Sequence, residues 1–165
     1  KPLLLEYATS PTARDRELNE VWKKNMNAVG LKIEFKSGKW PEHLKAARAG
    51  KLMMWGVGFS ASTPDGAGAI GLAYGPAKGE GNLSRFQMAE FDKLYDQSQL
   101  MPDGPERKAM MQKLVKIMVA YMPYKFNTHR IRTDLMQPWL LGYRRHPVNH
   151  AFWKYVDIDL SKLPK

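Results

Sequence analysis

Apolar positions along the chain follow two different periods, and the switches between them mark the elements. Leu3 to Thr9 is a short apolar run carrying Tyr7 and predicts a strand. Ser10-Pro11-Thr12 follows as a helix start. Thr12 is placed to cap, with Asp15 three residues on as its capping-box partner. Leu18, Val21, Trp22, Met26 and Val29 then recur at three- and four-residue steps, the apolar stripe of an amphipathic helix. Gly30 is its natural C-terminal stop. Leu31, Ile33 and Phe35 alternate with Lys32, Glu34 and Lys36, which predicts a half-buried strand. Trp40-Pro41-Glu42 opens a second helix, Pro41 suiting its first turn, and Gly50 closes it. Leu52 to Val57 is a continuous apolar run of strand length, the pattern of a strand buried on both faces. Strand, helix, strand in this order points to an α/β fold with a parallel layer.

The pattern then breaks. Residues 58–87 hold Gly58, Gly66, Gly68, Gly71, Gly75, Gly79 and Gly81, with Pro64 and Pro76 as further interruptions. This predicts a long irregular segment with one helical turn near Ala69–Tyr74, and long loops in compact domains are usually functional or mobile. Phe91, Leu94, Tyr95 and Ser98 mark a helix. Asp103-Gly104-Pro105-Glu106 starts another, whose stripe is Met110, Met111, Leu114, Ile117, Met118 and Tyr121 and which Pro123 ends. Tyr124 to Ile131 alternates as a strand would. From Thr133 the chain is aromatic-rich and broken by Pro138, Gly142 and Pro147, with a last strand expected over Phe152–Ile158. No internal repeat or low-complexity tract is visible.

A length of 165 residues fits one domain, or a domain with a tail. No apolar run approaches the ~20 residues of a membrane-spanning helix. Lys1 to Leu5 is too short an apolar run for a signal peptide, and Glu6 interrupts it. The chain starts without Met, as a processed or excised fragment would. The absence of cysteine excludes disulfides and thiolate metal sites. A net charge of +10 raises the possibility of nucleic-acid binding, but Lys and Arg are scattered singly or in pairs such as Lys23-Lys24 and Arg144-Arg145. That distribution fits a solvated basic surface.

Three short motifs carry candidate chemistry. Gly66-Ala67-Gly68-Ala69-Ile70-Gly71 matches a dinucleotide fingerprint by letter, yet Pro64-Asp65 separates it from the strand. The acidic residues that follow, Glu90 and Asp92, fall in a helix, so the match reads as chance in a glycine-rich loop. Gly58-Phe59-Ser60-Ala61-Ser62 resembles a nucleophile elbow without its final glycine. Asp134 and His146 follow in triad order, but Pro64 stands where the elbow's helix should begin. His146 and His150 have a metal-like spacing, with Pro147 between them and no acid close by. A surface or structural role suits them better.

The ordered series carries more. Trp40, Gly50, an apolar strand and Gly58-Phe59-Ser60-Ala61-Ser62-Thr63-Pro64-Asp65 resemble a stretch of the family 5 extracellular solute-binding proteins. These are the dipeptide-, oligopeptide- and nickel-binding components of ABC importers. Phe91-Asp92-Lys93-Leu94 is similar to the family's Phe-Asp-x-Leu helix, Asp103 to Arg107 to its Asp-x-x-x-Arg helix start, and Tyr121-Met122-Pro123 to the Pro before its next strand. The order holds to about Asp159. The resemblance implies the C-terminal lobe of a type II periplasmic-binding-protein clamshell, a mixed or parallel sheet flanked by helices. Residues 1–142 would be the lobe and 143–165 the stretch returning toward an N-terminal lobe. It also implies a peptide or other small-molecule ligand, a membrane permease as partner, and a periplasmic or otherwise extracytoplasmic location. It implies no catalysis, no cofactor, no metal and no nucleic acid.

A cleft between lobes needs a concave face, apolar surface and a few aimed polar groups. The loop after the 52–57 strand is the natural place for it. By the resemblance, Phe59 stands where peptide-binding relatives have Trp, Trp40 matches a second pocket aromatic, and Ser60, Ser62 and Thr63 offer hydroxyls. Peptide binders hold the amino terminus with an Asp where this chain has Ser62. A neutral hydroxyl cannot supply that charge-assisted pair, and Asp65 is the nearby acid that would replace it if the loop bends back. The competing readings are a basic nucleic-acid-binding domain and a serine hydrolase using Ser60.

Overall fold

The computed structural model describes residues 3–126, 131, 133–148 and 151–163. A parallel three-stranded sheet holds the N-terminal half. Strand β1 (Leu4–Thr9) is central, flanked by β2 (Lys32–Ser37) and β3 (Met54–Trp55) in the order β2-β1-β3. Leu5 pairs with Ile33 and Tyr7 with Phe35 on one side, and Tyr7 with Met54 and Ala8 with Trp55 on the other. Helix α1 (Ala13–Ala28) connects β1 to β2, and α2 (Trp40–Arg48) connects β2 to β3. Both helix ends are written in the sequence. The Thr12 hydroxyl accepts the Asp15 N–H at 3.1 Å and donates to the Asp15 carboxylate at 2.7 Å. Gly30 and Gly50, at φ 78° and 70°, take the left-handed stop conformation that a side chain disfavours.

The C-terminal half is helical. Helix α3 (Ala67–Ile70) runs into 3-10 turns at Gly71–Ala73 and Gly75–Ala77, followed by α4 (Ala89–Leu100) and α5 (Pro105–Tyr121). Ile70, Ala73, Phe91, Leu114 and Met118 form its buried core. Met122 ends α5 in the left-handed conformation at φ 50°, with Pro123 behind it. Beyond, β4 (Leu140–Leu141) pairs antiparallel with β5 (Asp157–Ile158).

Four expectations need correction. The strand expected over 52–57 shrinks to Met54–Trp55, and neither residue is fully buried. Met53 turns its sulfur to accept the Glu6 N–H at 3.4 Å, where a ladder bond would continue the strand. Among the described residues its only partner strand is β1, so β3 is an edge there. Residues 66–86 are folded rather than irregular. Asn82 is fully buried, donating to the Tyr74 and Phe86 carbonyls at 3.0 and 2.8 Å. The Tyr124 hydroxyl accepts the Leu83 and Ser84 N–H groups, both at 3.1 Å. That brace replaces the strand expected from Tyr124: no strand forms over Tyr124–Phe126, and residues 127–130 lie outside the described residues. Finally, Phe152–Tyr155 is a 3-10 turn. The Phe152 and Trp153 rings lie 4.6 Å apart, an arrangement closed to strand neighbours, which face opposite sides.

Candidate functional site

In an open parallel sheet, ligands bind beyond the carboxyl ends of the strands, where the strand order reverses. Here the chain passes from β1 to β2 on one side and returns to β3 on the other, so the reversal lies between β1 and β3. An open hollow of about 60 Å³ occupies that crevice, lined by Tyr7, Ala8, Thr9 and Ser10 from β1 and Trp55 and Gly56 from β3. Asp15 from the first turn of α1, and Trp40 and His43 from α2, complete it.

Each lining group is set by its element. Pro41 starts α2 with Trp40 at its first residue, and the Trp40 ring lies 5.3 Å from that of Trp55 at 31°, making one aromatic wall. His43 sits one turn on and places Nε2 3.0 Å from the Thr9 carbonyl. A carbonyl only accepts, so Nε2 carries the proton. Tyr7 is wedged between Trp22 and Phe35, at 6.2 and 5.8 Å between ring centres. Its hydroxyl reaches Gly56, where an added Cβ would stand 2.6 Å from the oxygen. Burial raises the Tyr7 hydroxyl above its ordinary pKa, and the negative charge of Asp15 adds to the shift.

The site residues expected from the sequence divide into two groups. Trp40, 48% exposed, lines the hollow. Phe59, also 48% exposed, instead packs edge-on against Tyr124 at 6.0 Å. Ser60, Ser62 and Thr63 are exposed on the same loop. Asp65 is held elsewhere: its carboxylate pairs with Arg107 at 2.6 Å and accepts the Ala67 N–H at 2.6 Å, capping α3. The Arg107 hydrogen bond, then that of Ala67, holds its pKa below the ordinary carboxylate value. Tyr7, Thr9, Asp15, His43 and Trp55 were missed. The one available signal was position, since Thr9 and Trp55 lie at strand C-termini.

The other motifs acquire structural roles. Gly66 to Gly71 forms the α3 turn, and Gly71 lies against the Tyr95 hydroxyl, 2.6 Å from where its Cβ would be. Asp134 is engaged by Arg145 and by the Tyr143 hydroxyl. His146 accepts the Val148 N–H at 3.2 Å, and His150 lies outside the described residues. Among the described residues no three metal-ligating side chains converge, and no helix is long and apolar enough to cross a membrane.

No protein-family model matches the chain. Di/tripeptide-binding protein 2 of Pseudomonas aeruginosa UCBPP-PA14 is 20% identical over 159 residues, 95% of this chain and 30% of that protein. The probable deoxycholate-binding periplasmic protein YgiS of Escherichia coli K12 is 23% identical over 142 residues, 86% of this chain and 26% of that protein. Among solved structures, the murein tripeptide binding protein MppA of Escherichia coli superposes with a TM-score of 0.75 at 19% identity. That superposition covers 96% of this chain and 31% of the other. The chain has the fold of one lobe of these binding proteins. The resemblance carried by Trp40, the Gly58–Asp65 segment and the two helix signatures is therefore borne out at the level of fold. The solute-binding fold is present here only in part, since the chain spans less than a third of either curated relative.

Proposed function

We propose that this chain is one lobe of the solute-binding component of an ABC importer, and that it captures a small ligand without transforming it. The observation that carries the reading is the hollow at the β1/β3 reversal, walled by Trp40 and Trp55, on a fold shared with periplasmic binding proteins. Trp40 and Trp55 offer the apolar surface, and Phe59, Ser60, Ser62 and Thr63 reach the ligand from the loop after β3. Asp65 holds that loop to α5 through Arg107. Residues 143–165 form the stretch that returns toward the second lobe, and its Asp157–Ile158 pair with Leu140–Leu141 at the end of this lobe. The protein works outside the cytoplasmic membrane, handing its solute to a permease. The names of the relatives span di- and tripeptides and deoxycholate, so the ligand class is set by local chemistry and not by the fold.

Native mass spectrometry on the native-length protein from its own host tests this. A small molecule released on denaturation supports the reading and identifies the ligand class. A protein that is empty, and that shows no thermal shift with a panel of dipeptides, tripeptides and bile salts, sinks it. Nucleic acid released only at high salt would replace it with the basic-module reading, in which the logarithm of the affinity falls linearly with the logarithm of salt concentration.

A further inference from the structure

The hollow has a chemical bias. Among the described residues, the Tyr7 hydroxyl is half-buried and makes no hydrogen bond. Asp15 accepts the Thr12 hydroxyl through Oδ2, which leaves Oδ1 open. His43 donates through Nε2 to Thr9, so in the neutral ring Nδ1 can only accept. A carboxylate oxygen also only accepts, and a phenol does either. The Trp40 and Trp55 indole N–H groups and the Ser10 hydroxyl, which also line the hollow, can donate, but around Asp15 and His43 the open side-chain capacity is acceptor, and an occupant that brings donors fits that side. An ammonium group brings three N–H donors and a positive charge. The charge meets Asp15 directly and is attracted by aromatic faces such as those of Trp40 and Trp55. Size agrees: about 60 Å³ exceeds the ~10–15 Å³ that one water needs, yet is too small for a whole peptide. It suits a head group with a methylene or two.

We propose that Asp15 and Tyr7, beside the Trp40–Trp55 wall, form a subsite for an aliphatic ammonium group of the bound solute. This rests on the reading that the hollow faces the ligand cleft.

The test uses native-length protein carrying 5-fluorotryptophan, dialysed free of retained solute, with the Trp40 and Trp55 fluorine signals assigned by W40F and W55F. It is titrated with n-butylammonium and, separately, with the neutral n-butanol. The expected result is a saturable shift of both signals with the ammonium and little with the alcohol. Asp15→Asn keeps an oxygen for the Thr12 hydroxyl but loses the charge, and should weaken ammonium binding about ten-fold. Tyr7→Phe should weaken it about three-fold, and serves as the second variant if Asp15→Asn perturbs folding. Equal responses to the two probes, no response, or affinities unchanged in the variants overturn the subsite. A protein that retains its solute in mass spectrometry but ignores butylammonium loses this inference and keeps the proposed function. A protein that binds no solute loses both.

Discussion

Asp65 shows how one residue can satisfy a sequence motif and still do something else. It is the acid near Ser62, the position where peptide binders carry their ligand-gripping Asp, but Arg107 reaches it across the fold from α5, and Arg107 also pairs with Asp103 at 2.8 Å. Sequence separation hid this partner. The depressed pKa of Asp65 makes the pair pH-sensitive. Its stabilisation is present above the unfolded carboxylate value and is lost as pH falls through the lower folded value. Melting curves from pH 7 downward should therefore show Asp65→Asn less stable than wild type at neutral pH, with the gap closing as pH falls below the ordinary carboxylate range. A constant gap would mean that the charge of Asp65 contributes nothing. Gly56 is a second residue whose role is visible only in three dimensions. Gly56→Ala would push its Cβ into the Tyr7 hydroxyl, and should weaken solute binding several-fold with little change in melting temperature. Calorimetry with the native solute checks it, and unchanged affinity would place Tyr7 outside the site.

The helices were legible because their signals are local: a stripe at 3.6-residue spacing, a capping Thr12, and glycine stops at Gly30 and Gly50. The segment from Gly66 to Phe86 was not, because what orders it comes from far away in sequence. Asp92 accepts the Gly75 N–H at 2.8 Å, Tyr74 donates to Asp96 at 2.7 Å, and Tyr124 reaches Leu83 and Ser84. Composition alone makes the same residues look like a loop. The short strands failed for a related reason, since apolar content does not say whether a partner strand lies alongside. Tyr124→Phe, which keeps the ring, should therefore destabilise by about 1–3 kcal/mol, because two N–H groups lose their acceptor. Phe91→Ala, at the fully buried centre of the helical core, should cost about 3–5 kcal/mol. Urea denaturation of both variants measures the difference. A near-neutral Tyr124→Phe would show that water replaces the hydroxyl and that the segment is held by other bonds.

At the scale of the molecule, the unusual feature is how little of the predicted apolar surface is covered. Helix α1 has no buried residue: Leu18 is 47% and Val21 56% exposed, although both lie on the stripe that the pattern assigns to a core. Trp22 and Met26 on the same stripe are only partly covered, and Val29 at its end is exposed. At the other end of the chain Trp153, Tyr155, Ile158 and Leu160 are also exposed. The stripe was legible, but what covers it was not. Scattered exposed apolar residues are ordinary, whereas a helix stripe and an aromatic segment together amount to a surface with a counterpart. If the chain is one lobe of a longer protein, that counterpart is the rest of the fold, which its relatives carry in the other two thirds of their length. Residues 1–165 alone should then bind the dye ANS strongly and self-associate at micromolar concentration, while the native-length protein does neither. Analytical ultracentrifugation beside dye fluorescence separates the outcomes. A monomeric, dye-silent chain would mean that the exposed stripe is tolerated as plain surface, and that the lobe is complete without a partner.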